Sequence, residues 1–340
     1  MTTIGDVARR AGVSTMTVSR VINGKGNVNA ELRRRVESAV AELGYVGNSL
    51  PSSLRFRETR MLALAISDIT NPFFTSMARG VEDTALEQNY SVIVCNTDES
   101  ETKQERYVRA LVRRQVDGFL LVPASDTSES VGLLVSQRVP TVLLDRRIDG
   151  CPLDVVRGNS EQGAHDLVAL LIALGHRRIA ALLGPLRVPT AAERLAGYLR
   201  ALAEAGIAPD EGLVFCGQYS QASGYEMARS AASVWPRPTA LLASNNSIAI
   251  GAYKALRAAG CRVPEDVAIA SHDDMEIGPT IIPFFTVAAV SANEMGRVAT
   301  RLLLERIAGS GPEGPQDIVL PAEVIVRESS GGPVGEGARG

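Results

Sequence analysis

Residues 61–96 read MLALAISDITNPFFTSMARGVEDTALEQNYSVIVCN. The stretch opens with a largely apolar run, MLALAISD, that is predicted to be a strand ending in Asp68, and it closes within a second predicted strand, YSVIVCNT, that continues to Thr97. The segment between them has the spacing of an amphipathic helix. A strand, a helix and a second strand in this order form the unit from which parallel sheets are built. Residues 61–96 therefore predict an α/β fold.

The same alternation of apolar strands and amphipathic helices continues to about residue 330. Further helices are predicted near 101–115, 128–137, 161–174, 191–205, 221–233 and 246–259. Strict alternation predicts parallel sheets with helices on both faces, a doubly wound architecture that is here repeated in two lobes. In such sheets, ligands bind beyond the carboxyl ends of the strands.

Polar residues follow several of the predicted strands. They are Asp68 and Asn71, Asp145 and Arg146, Asn245 and Asn246, and Asp273 and Asp274. Carboxylates, amides and a guanidinium that converge can exchange directed hydrogen bonds with a hydroxyl-rich ligand. Any one of these residues alone is better explained as a helix cap, but several together favour a binding cleft.

The first 60 residues differ in charge from the rest of the chain. They contain ten Lys or Arg and five Asp or Glu, a net charge of +5, whereas the remainder carries −8 and the whole chain −3. A basic segment joined to an acidic body is typical of a DNA-binding module attached to a second function. Charge alone leaves open a solvated basic face.

Three short helices are predicted in this basic segment. Thr3 caps the first, with Asp6 in the capping-box position, and Gly12 ends it. The second begins at Ser14 and the third covers about 30–43. The predicted inward residues of the second helix are Val18, Val21 and Ile22. Two helices joined by a tight glycine-containing turn form a helix-turn-helix.

The second helix of a helix-turn-helix enters the major groove of DNA. Its predicted outward residues are Thr15, Met16, Thr17 and Arg20. Threonine can contact base edges, methionine a thymine methyl group and arginine a guanine, while Ser14 and Ser19 suit phosphate oxygens. The pattern alone leaves open a small three-helix domain that binds a protein.

The segment IGDVARRAGVSTMTVSRVINGKGNVNAELRRRVESAVAELGY resembles the headpiece of LacI/GalR-family bacterial repressors, above all in VSTMTVSRVIN and the closing LGY. The similarity continues through most of the chain. It implies a helix-turn-helix, a short hinge helix and a core shaped like periplasmic sugar-binding proteins. It also implies a homodimer on a palindromic double-stranded operator, with affinity switched by a small molecule, usually a sugar. Thr3 and Asn23 join the expected DNA contacts.

The resemblance implies a hinge helix in residues 47–60, which contain GNSLPSSLRF. Leu54 falls on the position that wedges into the minor groove, and Arg55 can reach a phosphate. Gly47 and Pro51 depart from the family pattern, and a proline is tolerated in the first helical turn but not in the interior. We predict a hinge helix that forms only on DNA; the alternative is that it never forms.

Segments of the body also match the family: DITNPFF, LLDRR, PTAAERLAG, SNNSIAIG and HDD. By position, the resemblance implies effector contacts at Phe73, Asp145, Arg146, Thr190, Arg194, Tyr219, Asn246 and Asp273. Arg194 and Asp273 would bind sugar hydroxyls, and the two aromatic residues would stack on a ring face. The departures from the family pattern are Gly158, His272 and Val290. They bear on which ligand binds rather than on the fold.

The predicted domains are a headpiece (1–46), a hinge segment (47–60), an effector-binding core (61–330) and a disordered tail (331–340). The two lobes of the core are predicted to comprise about 61–160 with 291–321, and 161–290 with 322–330. The chain would cross between them near 159–161, 290–293 and 320–323. The tail has no heptads, which favours a dimer over a coiled-coil tetramer.

Several classes of protein are disfavoured by the sequence. It has no GxGxxG after the first strand, no Walker A motif and no GxSxG, so no catalytic residue is predicted. The four cysteines and three histidines lack metal-ligand spacing, so we expect neither metal nor cofactor. No apolar run reaches transmembrane length and the N-terminus lacks an apolar signal core, which predicts a cytoplasmic protein without membrane contact.

The sequence thus predicts a sequence-specific transcriptional regulator, a repressor switched by a sugar or sugar derivative. Hydrophobic residues make up 45% and charged residues 21% of the chain, an ordinary globular composition. An enzyme is one alternative, since Asp273 and Asp274 could form an acid–base pair. A sugar-binding protein without a regulatory role on DNA is the other.

Overall fold

The computed structural model describes residues 2–22, 28–45, 58–126, 128–275 and 284–331. The chain divides into two compact units, Met1–Thr59 and Arg60–Gly340. Some predicted features lie outside the described residues: Asn23, the hinge residues Gly47, Pro51, Leu54 and Arg55, and the tail beyond Gly331.

The first unit contains the three predicted helices, α1 (Ile4–Ala11), α2 (Thr15–Ile22) and α3 (Ala30–Leu43). The Thr3 hydroxyl accepts from the Asp6 amide, and the Asp6 carboxylate accepts from the Thr3 amide at 2.9 Å, which completes the capping box. Gly12 and Gly44 follow α1 and α3 with φ of 66° and 55°, the left-handed conformation that ends a helix.

A small apolar core holds these helices together. It consists of Val7, Ala8, Ala11, Val18, Val21, Val36 and Ala39. The prediction that Ile22 faces inward is wrong, because its side chain is 41% exposed. Ile22 is the last residue of α2, and three short helices form too small a core to cover another large side chain there.

The second unit contains two six-stranded sheets. The strands of the first sheet are β1 (Met61–Ile66), β2 (Ser91–Asn96), β3 (Gly118–Leu121), β4 (Thr141–Leu144), β5 (Asp154–Gly158) and β11 (Asp317–Leu320). The strands of the second are β6 (Ile179–Leu183), β7 (Val214–Cys216), β8 (Ala240–Ala243), β9 (Ala268–His272), β10 (Thr286–Ala289) and β12 (Glu323–Ile325). Their orders are β11-β5-β4-β3-β1-β2 and β12-β10-β9-β8-β6-β7.

Each sheet is the centre of one lobe. Lobe 1 has the helices α4 (Pro72–Glu87), α5 (Glu101–Arg113), α6 (Glu129–Ser136) and α11 (Ala292–Ala308). Lobe 2 has α7 (Ser160–Ala173), α8 (Pro189–Glu204), α9 (Gln221–Ser233) and α10 (Asn246–Ala258), with short 3₁₀ turns at Glu211–Leu213 and Glu328–Ser330. The chain passes between the lobes after β5, after β10 and between β11 and β12.

One strand departs from the predicted parallel arrangement. β12 pairs antiparallel with β10, whereas the other pairs in both sheets are parallel. The reason lies in the connection. β10 runs towards the crossing between the lobes, but β12 follows directly from β11 and runs away from it.

Both faces of each sheet are buried. In β1, Leu62, Leu64 and Ile66 belong to one core cluster, whereas Ala63 and Ala65 belong to the cluster on the opposite face. A strand that is covered on both sides has no polar face, which explains the uninterrupted apolar run MLALAI. Among the described helices, none combines the length and apolarity needed to cross a membrane.

Helices α9 and α10 pack closely because each has a glycine at the contact. A Cβ at Gly251 would lie 2.0 Å from the Gln221 carbonyl oxygen, and one at Gly224 would lie 2.3 Å from the Ile248 carbonyl oxygen. The two backbones therefore meet where any side chain would collide with them.

We expect Gly251→Ala to destabilise the protein by about 1–3 kcal/mol, since the backbone must move to admit a methyl group. The melting temperature should fall by several degrees in differential scanning calorimetry. Gly132→Ala is the matched control: Gly132 lies in α6, and among the described residues no atom beyond its own helix backbone and chain neighbours lies within 4 Å of the added Cβ, so the melting temperature of this variant should be unchanged or higher. Equal melting temperatures for both variants would contradict the close packing.

Candidate functional site

A cleft of about 430 Å³ lies between the two lobes, beyond the carboxyl ends of their strands. Seven of the eight predicted effector residues line it: Phe73, Asp145, Arg146, Thr190, Arg194, Tyr219 and Asp273. They come from both lobes. The volume falls within the range of small-molecule sites.

The eighth predicted residue, Asn246, is not among the residues that line the cleft. It is buried as the first residue of α10, and its amide exchanges two hydrogen bonds with that of Asn71 in lobe 1, at 2.9 and 3.1 Å. The preceding residue, Asn245, lines the cleft and also caps α10. Asn246 thus joins the lobes, whereas Asn245 faces the cavity.

Two other contacts join the lobes near the cleft. The Asp126 amide donates to the Arg187 carbonyl oxygen at 3.3 Å. Arg147 of lobe 1 lies 3.8 Å from the Glu193 carboxylate on α8. Together with the Asn71–Asn246 pair, these contacts link the two lobes beside the cleft.

Four acidic residues of the cleft have left-handed backbone conformations. Their φ values are 51° at Asp98, 54° at Glu99, 62° at Asp145 and 64° at Asp273, and each follows the end of a strand. Residues other than glycine rarely adopt this conformation, and such strain concentrates at functional sites. The turns bring the four carboxylates towards one cavity.

The side chain of Arg146 is held by hydrogen bonds to other residues of lobe 1. Its two terminal nitrogens donate to the two carboxylate oxygens of Glu99, both at 2.6 Å, and Nη1 also donates to the Pro123 carbonyl oxygen at 2.8 Å. Burial opposes its charge, but Glu99 outweighs burial and keeps the pKa of Arg146 above its ordinary value. The guanidinium carbon lies 6.0 Å from the centre of the Tyr219 ring in lobe 2.

Arg194 is the corresponding cation of lobe 2. Its Nη1 donates to the Ser244 carbonyl oxygen, and Nη2 lies 3.5 Å from the Asp273 carboxylate. Among the described residues, Nε has no hydrogen-bond partner although it is buried. A buried donor without a partner is costly, so Arg194 is suited to a ligand oxygen.

Aromatic rings flank these charges. Phe73 lines the cleft from the first turn of α4, and the Tyr219 hydroxyl lies 3.3 Å from that of Thr190. A Cβ at Gly184 would lie 2.2 Å from the Tyr219 ring, so only glycine lets the ring take this position. Charged groups beside ring faces suit a ligand with hydroxyl groups and an apolar face.

Two buried carboxyl groups of the cleft, those of Asp145 and Asp273, are protonated more readily than in water. Burial raises the pKa of Asp273 to about 6, and the attraction of Arg194 offsets only part of this effect. Burial likewise raises the pKa of Asp145, against the attraction of Arg146 and Arg194. A ligand that donates hydrogen bonds would favour the ionised forms.

Asp273 should make the protein less stable as pH rises from about 4 to about 6.5. The unfolded carboxyl has a pKa near 3.8 and the folded one near 6, so the folded state binds the proton more tightly. The free energy of unfolding should fall by about 3 kcal/mol across this pH window, and this fall should be absent in the Asp273→Asn variant. Urea unfolding of both proteins at several pH values measures it. Parallel pH dependences would contradict this assignment.

The three departures from the family pattern have structural partners. A Cβ at Gly158 would lie 2.8 Å from Val290, so these two residues pack against each other where the chain crosses between the lobes. His272 is buried on β9 with its ring against Gly163 of α7. Burial lowers the pKa of His272 well below its usual value, which keeps the ring neutral.

The sequence analysis did not identify Glu99, and it named Asn71 only as a polar residue after a strand. Both follow strands of the first sheet, so the signal that found Asp145 could have found them. The pairing of Glu99 with Arg146 could not be read in this way, because β2 and β4 are separated by two strands in the sheet.

The headpiece presents the predicted DNA-contacting residues on α2. Thr15, Met16 and Arg20 are exposed, and Met16 is 63% exposed. Thr17 and Ser19 are half-buried. The exposed Ser14 caps α2 by accepting from the Thr17 amide at 3.2 Å, and Thr3 is exposed at the start of α1. One face of α2 is therefore available for base edges.

Comparisons with known proteins found family matches for both the headpiece and the core. Residues 3–48 match the model for bacterial regulatory proteins of the lacI family, and residues 168–330 match that for a periplasmic binding protein-like domain. The ribose operon repressor of Escherichia coli strain K12 is 36% identical over 310 residues, 90% of this chain and 93% of the repressor.

Two solved structures that are similar to this chain over most of its length are ligand complexes. The Lac repressor dimer bound to operator and the anti-inducer ONPF has a TM-score of 0.85 at 29% identity, covering 97% of this chain and 99% of that one. The transcriptional regulator CelR in complex with cellobiose has a TM-score of 0.74 at 34% identity, covering 97% and 100%.

Proposed function

This chain belongs to the LacI family of bacterial regulatory proteins, and on that premise we propose that it binds a palindromic operator as a homodimer and that a sugar or sugar derivative in the cleft changes its affinity for DNA. Family membership confirms the prediction of a DNA-binding transcriptional regulator rather than an enzyme. Repression is the activity named for the ribose operon relative. Since DNA-binding regulators of bacteria act on cytoplasmic DNA, we propose that this protein is cytoplasmic.

The observation that carries the effector proposal is the composition of the cleft. Two buried arginines, several carboxylates and three aromatic rings meet between the lobes, and the Nε atoms of Arg146 and Arg194 lack hydrogen-bond partners among the described residues. Sugar hydroxyls can donate to the carboxylates and accept from the guanidinium groups. The similar structure of CelR is a complex with cellobiose, which supports a sugar as the ligand of this chain.

Because both lobes contribute to the cleft, a ligand can change the balance between arrangements of the lobes. The contacts between Asn71 and Asn246 and between Arg147 and Glu193 link the two lobes, and they would break if the lobes moved apart. A ligand shifts this balance only by its difference in affinity for the two arrangements, and DNA affinity then changes by the same linkage. Leu54 and Arg55 of the hinge segment would transmit the change to DNA.

Selection from random DNA duplexes with the full-length protein, at a fixed salt concentration and without sugar, tests the DNA-binding half of the proposal. We expect an enriched palindrome whose half-sites have one spacing, since a symmetric dimer fixes that distance. A constrained centre would indicate that Leu54 is seated, whereas an unconstrained centre would indicate that Pro51 prevents the hinge helix. Enrichment of no motif, with or without a pool of sugars, would contradict the proposal.

A further inference from the structure

The side chain of Glu99 determines which parts of Arg146 a ligand can reach. Its two oxygens accept from both terminal nitrogens of Arg146, and the Pro123 carbonyl oxygen accepts from Nη1 as well. Among the described residues, Nε is the nitrogen without a hydrogen bond, and it lies 3.5 Å from an Asp145 carboxylate oxygen. The pair of terminal nitrogens, one of the two forks by which arginine can bind a phosphate, is therefore already occupied, and the Nε side faces Asp145.

Arg194 offers no replacement for that fork. Its Nη1 is held by the Ser244 carbonyl oxygen and its Nη2 faces Asp273. Its Nε is buried and has no hydrogen-bond partner among the described residues. A guanidinium whose terminal nitrogens already face protein oxygens suits a hydroxyl or ring oxygen, whereas a phosphate or carboxylate gains most from paired free donors.

The balance of charge in the cleft also disfavours an anion. The charged residues that line it are Asp68, Asp98, Glu99, Asp145, Arg146, Arg194 and Asp273, with a formal charge of −3 when all are ionised. A sugar phosphate would add a charge of about −1.5 to −2 at neutral pH. In a partly buried site such repulsion is screened less than on the surface.

On the sugar effector proposed above, we infer that Glu99 is a specificity-determining residue: by occupying Arg146 it restricts the cleft to uncharged sugars and excludes their phosphates. Glu99 acts through Arg146. Without its carboxylate, the terminal nitrogens of Arg146 would be free to bind an anionic group.

The test is isothermal titration calorimetry of the full-length protein with paired ligands. D-ribose is compared with D-ribose 5-phosphate, D-glucose with D-glucose 6-phosphate, and cellobiose is included. Where the wild-type protein binds a sugar, it should bind the phosphate of that sugar at least about 100-fold more weakly than the sugar itself. In Glu99→Gln this ratio should shrink at least about tenfold, because a neutral amide cannot neutralise Arg146.

Two variants control for structure and for net charge. Glu99→Asp keeps the carboxylate and should keep most of the discrimination. Glu105→Gln removes one negative charge from the surface of α5, where Glu105 pairs with Arg109, and should leave the ratio within about twofold, since surface charges are screened.

Equal affinity of the wild type for a sugar and its phosphate would overturn the inference, as would the same ratio in wild type and Glu99→Gln, or no binding of any uncharged sugar in the panel. Operator selection reports on the proposed function separately. An enriched palindrome together with failed discrimination would leave that function standing without this inference. Discrimination between sugars and their phosphates without any enriched DNA motif would support this inference and contradict the proposed function.

Discussion

Replacing Arg194 with alanine is expected to weaken sugar binding by about 2–5 kcal/mol, a loss of roughly 30-fold or more. Arg194 lines the cleft, is 4% exposed, and has no partner for its Nε among the described residues, so a ligand that bonds this donor compensates a buried group. Removal also leaves the Asp273 carboxyl without its nearest cation, at 3.5 Å. Calorimetry with the sugar that binds the wild type measures the loss.

Arg200→Ala is the matched control for this experiment. Arg200 lies on the same helix, α8, but its side chain is 38% exposed and binds Glu161 and Gln162 of α7. We expect that variant to bind sugar as the wild type does, and both variants to bind operator DNA in the absence of sugar. Wild-type sugar affinity in Arg194→Ala would show that the ligand site lies elsewhere.

The second large effect is expected on the headpiece. Arg20→Ala should lower operator affinity by about 1–3 kcal/mol and relax the preference for one base pair, as loss of an arginine–guanine contact does. Arg20 is exposed in the last turn of α2, on the helix predicted to enter the major groove. Fluorescence anisotropy with the selected operator and with single-base variants measures both effects.

The control removes the same charge from another helix. Arg34 is exposed on α3, and Arg34→Ala should weaken binding to all DNA sequences alike, because a general charge effect carries no base preference. If Arg20→Ala also weakened all sequences alike, Arg20 would contact phosphate and another residue of α2 would read the base.

Much of the fold could be predicted because its signals are local. The capping box of Thr3 and Asp6, the glycines that end α1 and α3, and the run MLALAI of β1 each depend on residues close in sequence. Alternation of strand and helix then restricts the topology to doubly wound sheets. The orientation of β12 could not be predicted in this way, since it depends on the direction in which the chain crosses between the lobes.

The site could be predicted in position but not in its pairings. Seven effector residues implied by the resemblance line one cleft, which local strand ends and family position were enough to indicate. Asn245 and Asn246 are neighbours in sequence but point in different directions at the start of α10. Asn245 caps the helix and faces the cleft, whereas the side chain of Asn246 bonds to Asn71. The contact of Glu99 with Arg146 depends on left-handed backbone at Glu99 and on tertiary structure across the sheet.

The most direct test of the account is a titration of the selected operator, as a labelled duplex, with full-length protein in the presence and absence of the sugar that binds in the cleft. Saturating sugar should change operator affinity by about fivefold or more, in one direction, and Arg194→Ala should show no change. An operator affinity that is the same with and without bound sugar would contradict the coupling between cleft and headpiece on which the proposed function rests.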